Sequence, residues 1–203
     1  MPKIVDHEER RSRVAEAVCR LIARGGFEAV TLRAVAAEAN SSLGAVQHYL
    51  KTRDDMLMAA LQHISHSVTT RAENVNPEQD WRDAFRDLLA QFLPLDQTRR
   101  IEGRVWLAFT AQAVVNPRLG EALREANTTS HTNLTRLLAR ARDAGLIHPD
   151  LDPADTATDL LALVDGLTMQ GLTDPDRFPP AHLIAVLERH IARLPAGSAP
   201  SER

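Results

Sequence analysis

Between Thr31 and Arg53 the chain gathers side chains suited to forming hydrogen bonds rather than to breaking covalent ones. Ser42, Gln47, His48 and Tyr49 fall within eight residues of one another. Gln47 carries the paired donor and acceptor that match a base edge, and the hydroxyls of Ser42 and Tyr49 suit phosphate oxygens. No such concentration exists for catalysis. The chain has no G-x-S-x-G, no P-loop, no G-x-G-x-x-G and no H-E-x-x-H, so it reads as a non-enzyme that needs no cofactor. His63 and His66 stand at i, i+3, but no third ligand stands at a suitable spacing. They read as surface or interdomain histidines, with no metal.

The elements that must position these groups are short. "TLRAVAAEANSSLGAVQHYL", residues 31–50, holds two apolar-periodic stubs pinched around Asn40-Ser41-Ser42. Neither stub is long enough to be helical alone in water. Thr31 is placed to cap the first, with Leu32, Val35, Ala36 and Ala39 on one face. Ser42 is placed to cap the second, with Leu43, Val46 and Leu50 expected inward. A longer helix from about Glu8 to Arg24 precedes them and stops at Gly25-Gly26. Another, opened by Thr52 or Asp54, carries Met56, Leu57, Ala60, Leu61, Ile64 and Val68 toward Asn74. Two braced stubs are the sequence form of a helix-turn-helix, whose second helix enters the DNA major groove. Its outward face must then be polar and its inward face apolar. Gly44 leaves room for close approach by DNA or by a neighbouring helix.

Helical periodicity continues to the end. The next stripes are Trp81–Phe92, Ile101–Ala113, Arg118–Ala144, then a segment opened by Asp152-Pro153, and Leu183–Ile191. No period-2 strand pattern occurs. The expected fold is all-α with about nine helices: an N-terminal three-helix DNA-binding head and a larger helical domain. The expected divisions are 1–53, 54–195 and a disordered Gly/Ser/Pro tail over 196–203.

Charge and composition agree with that division. Residues 1–53 carry nine Lys/Arg against six acids, while the other 150 carry 15 against 21. A basic head on an acidic body suits a polyanionic partner. Cys19 is the only cysteine, which excludes an intramolecular disulfide and a cysteine-based zinc site. No membrane-length apolar run and no signal-like N-terminal block is present, so a cytoplasmic location without a membrane is expected.

"TLRAVAAEANSSLGAVQHYLKTRDDML" resembles the DNA-binding domain of the TetR family of transcriptional regulators, and "GAVQHYLKTRDDML" is most similar to its BetI-like branch. "WRDAFRDLLAQFLPLD", "RVWLAFTAQAVVNPRL" and "LLALVDGL" resemble that branch's C-terminal domain. The resemblance implies a repressor released from a pseudo-palindromic, double-stranded DNA operator by a small-molecule effector. It implies that Thr31 and Arg33 contact phosphate or a base edge. Ser42, Ala45, Gln47, His48 and Tyr49 would form the recognition surface, with Lys51, Thr52 and Arg53 clamping the backbone beside the fourth helix, whose N-terminus favours anions. Three positions depart from the family's pattern: Asn40 stands for its usual turn Gly, Gln47 for its common Tyr and Leu50 for its usual Phe.

The resemblance further implies a homodimer through the last two helices. "DLLALVDGLTMQGL" is apolar on more than one face, and Gly166 and Gly171 would allow close helix approach. Candidate effector contacts are Phe92, Trp106, Phe109, Gln112, Asn127, His131 and Met169, aromatic and polar groups of the middle helices. With aromatics at 4% of the chain, a cage for a quaternary ammonium has little material, although the resembled branch is choline-responsive. The alternative reading is a helical adaptor whose head binds a protein partner.

Overall fold

The computed structural model describes residues 3–76 and 79–197, with the backbone alone described for residues 3–8. Among the described residues nine α-helices form: α1 Lys3–Gly25, α2 Leu32–Glu38, α3 Leu43–Tyr49, α4 Arg53–Glu73, α5 Trp81–Leu89, α6 Gln97–Ala113, α7 Pro117–Asp143, α8 Pro153–Thr173 and α9 Pro180–Ala192. The all-α reading holds. None of these helices is long and apolar enough to cross a membrane.

The chain forms two compact units. The first comprises residues 1–69 and 100–123 and the second residues 70–99 and 124–203. In the first, Val14, Val18 and Ile22 of α1 close on Val35 of α2, Val46 of α3 and Leu57 of α4, all buried. Phe109 of α6 and Leu119 of α7 complete that core with no exposed surface. Cys19 lies in it as well. Burial pushes its thiol up to about 12, so it packs as a small apolar group.

The short helices are terminated by local chemistry that the sequence announces. Thr31 Oγ1 accepts from the Ala34 amide at 3.1 Å, and Ser42 Oγ accepts from the Ala45 amide at 3.2 Å. Between them Asn40 sits at φ 48, in the left-handed region. The Ser41 amide reaches back to the Ala36 carbonyl and the Asn40 amide to Ala37, the paired bonds of a Schellman stop. Arg20 and Arg24 of α1 both pair with Glu38 of α2 and hold its carboxyl below the usual range. These pairs lock the first stub to the long helix before it.

The second unit packs Phe85 and Leu89 of α5, Leu134 and Leu138 of α7, Leu160 and Val164 of α8, and Leu183 and Leu187 of α9. Gly171 admits Leu183 and Pro94: a Cβ there would lie 2.8 Å from one and 3.0 Å from the other. Around Gly166, by contrast, a Cβ would meet nothing within 4 Å. The tail expected from residue 196 begins differently. Ala196 pairs with Ile147, His148 donates to the Pro195 carbonyl at 2.9 Å, and Gly197 donates to Leu146. These backbone bonds order the first two residues of the segment, and 198–203 lie outside the described residues.

The turn geometry makes a testable distinction. Asn40→Val forces a β-branched residue into a left-handed conformation and is expected to cost about 1–2 kcal/mol. Asn40→Gly removes the Cβ conflict and is expected to leave stability unchanged or raised. Urea unfolding midpoints of the two variants check the order.

Candidate nucleic-acid interface

Helix α3 has one buried edge and one open face. Val46 is 0% exposed and Leu50, just past the helix end, 4%, while Ser42, Gly44, Ala45, Gln47 and His48 are exposed. Leu43 corrects the expected inward set, being 38% exposed. As the first residue of a seven-residue helix it precedes the single turn that reaches the core. An open apolar side chain among polar ones is a feature that sequence periodicity misassigns. Gly44 would meet no protein atom within 4 Å if it carried a Cβ, so no neighbouring helix requires glycine there. What remains of the two sequence-level reasons is approach from outside the chain.

The flanking groups divide into those that face out and those held by their own chain. Thr31 and Arg33 are exposed at the start of α2. The hydroxyls of Thr31 and Ser42 use one lone pair in capping, and each keeps its proton to donate outward. Tyr49 is half-buried against the head core and meets His48 edge-on at 5.2 Å. Lys51 and Thr52 are exposed.

Arg53 is engaged inward. Its guanidinium lies 3.8 Å over the Phe27 ring, donates to the Phe27 carbonyl at 2.5 Å and pairs with Glu28 at 3.0 Å. It therefore braces α4 against the turn at 27–29.

The first turn of α4 already holds an anion from the chain itself. Asp55 Oδ2 accepts from the amides of Thr52 at 2.9 Å and Lys51 at 3.2 Å, and Thr52 Oγ1 accepts from the Asp55 amide at 3.0 Å. This is a reciprocal cap. Arg118 of α7 bonds the other Asp55 oxygen at 2.8 Å and, with these caps, holds the carboxyl down at about 2. Asn116 works in parallel. Its Oδ1 accepts from the amides of Arg118 and Leu119 at the start of α7, and its Nδ2 donates to Asp54 at 3.1 Å. The start of α4 is thus tied to the α6–α7 turn by two side-chain pairs.

A cleft of about 370 Å³ opens beside α3, between α1 and the α2–α3 turn. Arg10 and Arg13 line it with Asn40, Ser41, His48 and Tyr49. The two arginines count toward the basic head in the sequence, but only the fold sets them beside α3. Their i, i+3 spacing on α1 was the available signal.

The seven candidate effector contacts separate. Phe109, Trp106 and Gln112 lie on α6 in the first unit, with Phe109 in its core and the other two half-buried. Phe92, His131, Asn127 and Met169 belong to the second unit. There the Phe92 carbonyl accepts from Thr168, and His131 Nε2 lies 3.1 Å from both the Ala154 carbonyl and Thr158 Oγ1. Asn127 and Met169 are exposed. None of the seven lines the cleft beside α3 or the cavity of about 490 Å³ around His148, Asp152, Asp159 and His190. Among the described residues no group of three or more His, Cys, Asp or Glu is arranged to hold a metal ion.

The chain is similar to known transcriptional regulators. The family model described as bacterial regulatory proteins, tetR family, matches residues 15–60, and that of the BetI-type transcriptional repressor C-terminal domain matches residues 81–196. The transcriptional regulator PksA of Bacillus subtilis is 32% identical over 195 residues, covering 96% of this chain and 94% of that protein. A BetI regulator of Burkholderia cenocepacia is 34% identical, covering 84% of this chain and 86% of its own. Among solved structures, a transcriptional regulator from Rhodococcus sp. Rha1 superposes with a TM-score of 0.79 at 33% identity, covering 91% of this chain and 95% of that one. One from Saccharomonospora viridis, solved in complex with choline, superposes at 0.81 with 26% identity, covering 92% and 97%.

The Asp55 tie gives a pH signature. Folding lowers this carboxyl below its unfolded value of about 3.9, so the folded state binds the proton less well. The stabilisation is present above about pH 5 and disappears as pH falls through about 2. Wild type is expected to be more stable than Asp55→Asn at pH 7, with the gap closing toward pH 2. Urea titrations across that range measure it.

Proposed function

The chain belongs to the TetR family of helix-turn-helix transcriptional regulators and is not an enzyme, and from that premise we propose that it is a dimeric, ligand-responsive repressor. The observation that carries the proposal is the two-sided character of α3. Its buried edge is Val46, followed by Leu50, while Gln47 and His48 stand open to solvent. In this reading Gln47 and His48 read base edges, and Leu43 and Ala45 pack on thymine methyls. Thr31, Arg33, Ser42, Tyr49, Lys51 and Thr52 then fix the duplex backbone. Arg53 supports them from behind through Phe27 and Glu28.

Residues 54–195 would supply the effector site and the dimer contact. Gly166 is open on α8 and Met169 is 46% exposed, as a helix packed on a twin requires. Pairing α8 and α9 with their symmetry mates would set two α3 helices into half-sites about 34 Å apart, or a multiple of that spacing. An effector that favours another spacing would release the operator by shifting the population of paired heads.

Of the seven sequence candidates, Phe92, Asn127, His131 and Met169 of the second unit are the residues proposed to meet the effector. Phe109 is sealed in the core of the first unit, to which Trp106 and Gln112 also belong. Choline accompanies the Saccharomonospora relative, but two half-buried aromatic faces of the second unit are already covered here. Arg82 lies 4.4 Å from Trp81 and Arg177 lies 5.5 Å from Phe178. A cation cage is therefore not the chemistry proposed for this chain.

Gel-shift assays against DNA flanking the protein's own coding region test the reading. Gln47→Ala with His48→Ala is expected to weaken sequence-specific binding by roughly tenfold or more. Dimer mass by light scattering should not change. Lys51→Ala is expected to weaken all duplexes alike and to lower the salt slope by about one. A wild-type protein that binds no duplex, or a double variant that loses a protein partner instead, overturns the proposal.

A further inference from the structure

We propose that the cleft between α1 and the α2–α3 turn is a phosphodiester seat, in which Arg10 and Arg13 grip the operator backbone alongside α3. This rests on the DNA-binding reading above and extends it to a helix outside the helix-turn-helix.

Three observations converge on the cleft. Its lining holds two guanidinium groups and no carboxylate: Arg10, Arg13 and Val14 on one wall, and Ala39, Asn40, Ser41, Ala45, His48 and Tyr49 on the other. The second wall also carries groups that suit a phosphate oxygen: the amide of Asn40 and the hydroxyls of Ser41 and Tyr49. At about 370 Å³ the space admits a phosphate together with part of its sugar.

The location selects the source of the phosphate. Ala45, His48 and Tyr49 line the cleft and also lie along the recognition helix. A duplex seated on α3 therefore runs its backbone past the mouth. Arginine suits this task because its planar fork meets two phosphate oxygens at once, whereas lysine offers a point charge. A contact of this kind carries no base information. It sets how far along the groove, and at what tilt, α3 comes to rest.

The experiment measures binding of the full-length protein to two duplexes, one from the DNA flanking its coding region and one of random sequence, by fluorescence anisotropy across a potassium chloride series. R10A/R13A is expected to weaken both duplexes by the same factor and to lower the salt slope by about one, since the seat holds one phosphate and each neutralised phosphate contributes close to one. R10K/R13K is expected to keep the slope and still lose affinity, because the charge remains while the fork is gone. An R10A/R13A protein that melts like wild type and keeps its slope overturns the proposal, and so does a loss confined to the flanking duplex. If R10A/R13A does not fold, R10K/R13K decides: weakened binding at an unchanged slope supports the seat, and wild-type affinity overturns it. Q47A separates this inference from the broader one. Wild type binding no duplex sinks both, whereas wild type binding and Q47A losing preference, with the arginine variants silent, removes the cleft alone.

Discussion

Two helices of seven residues cannot hold themselves together in water, and the head exists because its longer neighbours hold them. Val35 from α2 and Val46 from α3 are fully buried against α1 and α4. Everything the recognition face does follows from that constraint. With one edge of α3 gripped, the opposite residues need no role in packing and are released for hydrogen bonding. Glu38 adds a directional lock, since two arginines of α1 converge on it. The short helices are thus rigid in place while remaining marginal by themselves.

Much of this was legible in the sequence because it is local. Capping by Thr31 and Ser42, the tolerance of Asn40 for positive φ, and the Asp152-Pro153 helix start all depend on residues within a turn of each other. The features that were not legible depend on distant partners. Arg53 was free to face a phosphate until folding brought Phe27 and Glu28 beside it. Leu43 fits the apolar stripe of α3, yet only the finished core shows that the stripe is buried from Val46 onward. Ala196 and Gly197 look like tail by composition, but the turn after α7 offers them backbone partners. Arg10 and Arg13 could be counted as charge but not placed.

The electrostatics of α4 show a related division of labour. A helix N-terminus attracts anions, and here Asp55 answers that attraction from within while Arg118 and the caps secure it. The amides of Lys51 and Thr52 are therefore engaged by a carboxylate of the chain. Asn116 extends the same link by starting α7 with one end of its amide and holding Asp54 with the other. A single turn between α6 and α7 thereby governs how α4 begins.

Cys19 has a practical corollary. Its thiol is 3% exposed and pushed up to about 12, so at neutral pH it presents almost no thiolate to an alkylating reagent. Since no other cysteine exists in the chain, a cysteine placed on any open surface position becomes the sole reactive handle. Fluorophores or spin labels can then report on that position in solution, with the native residue left in place.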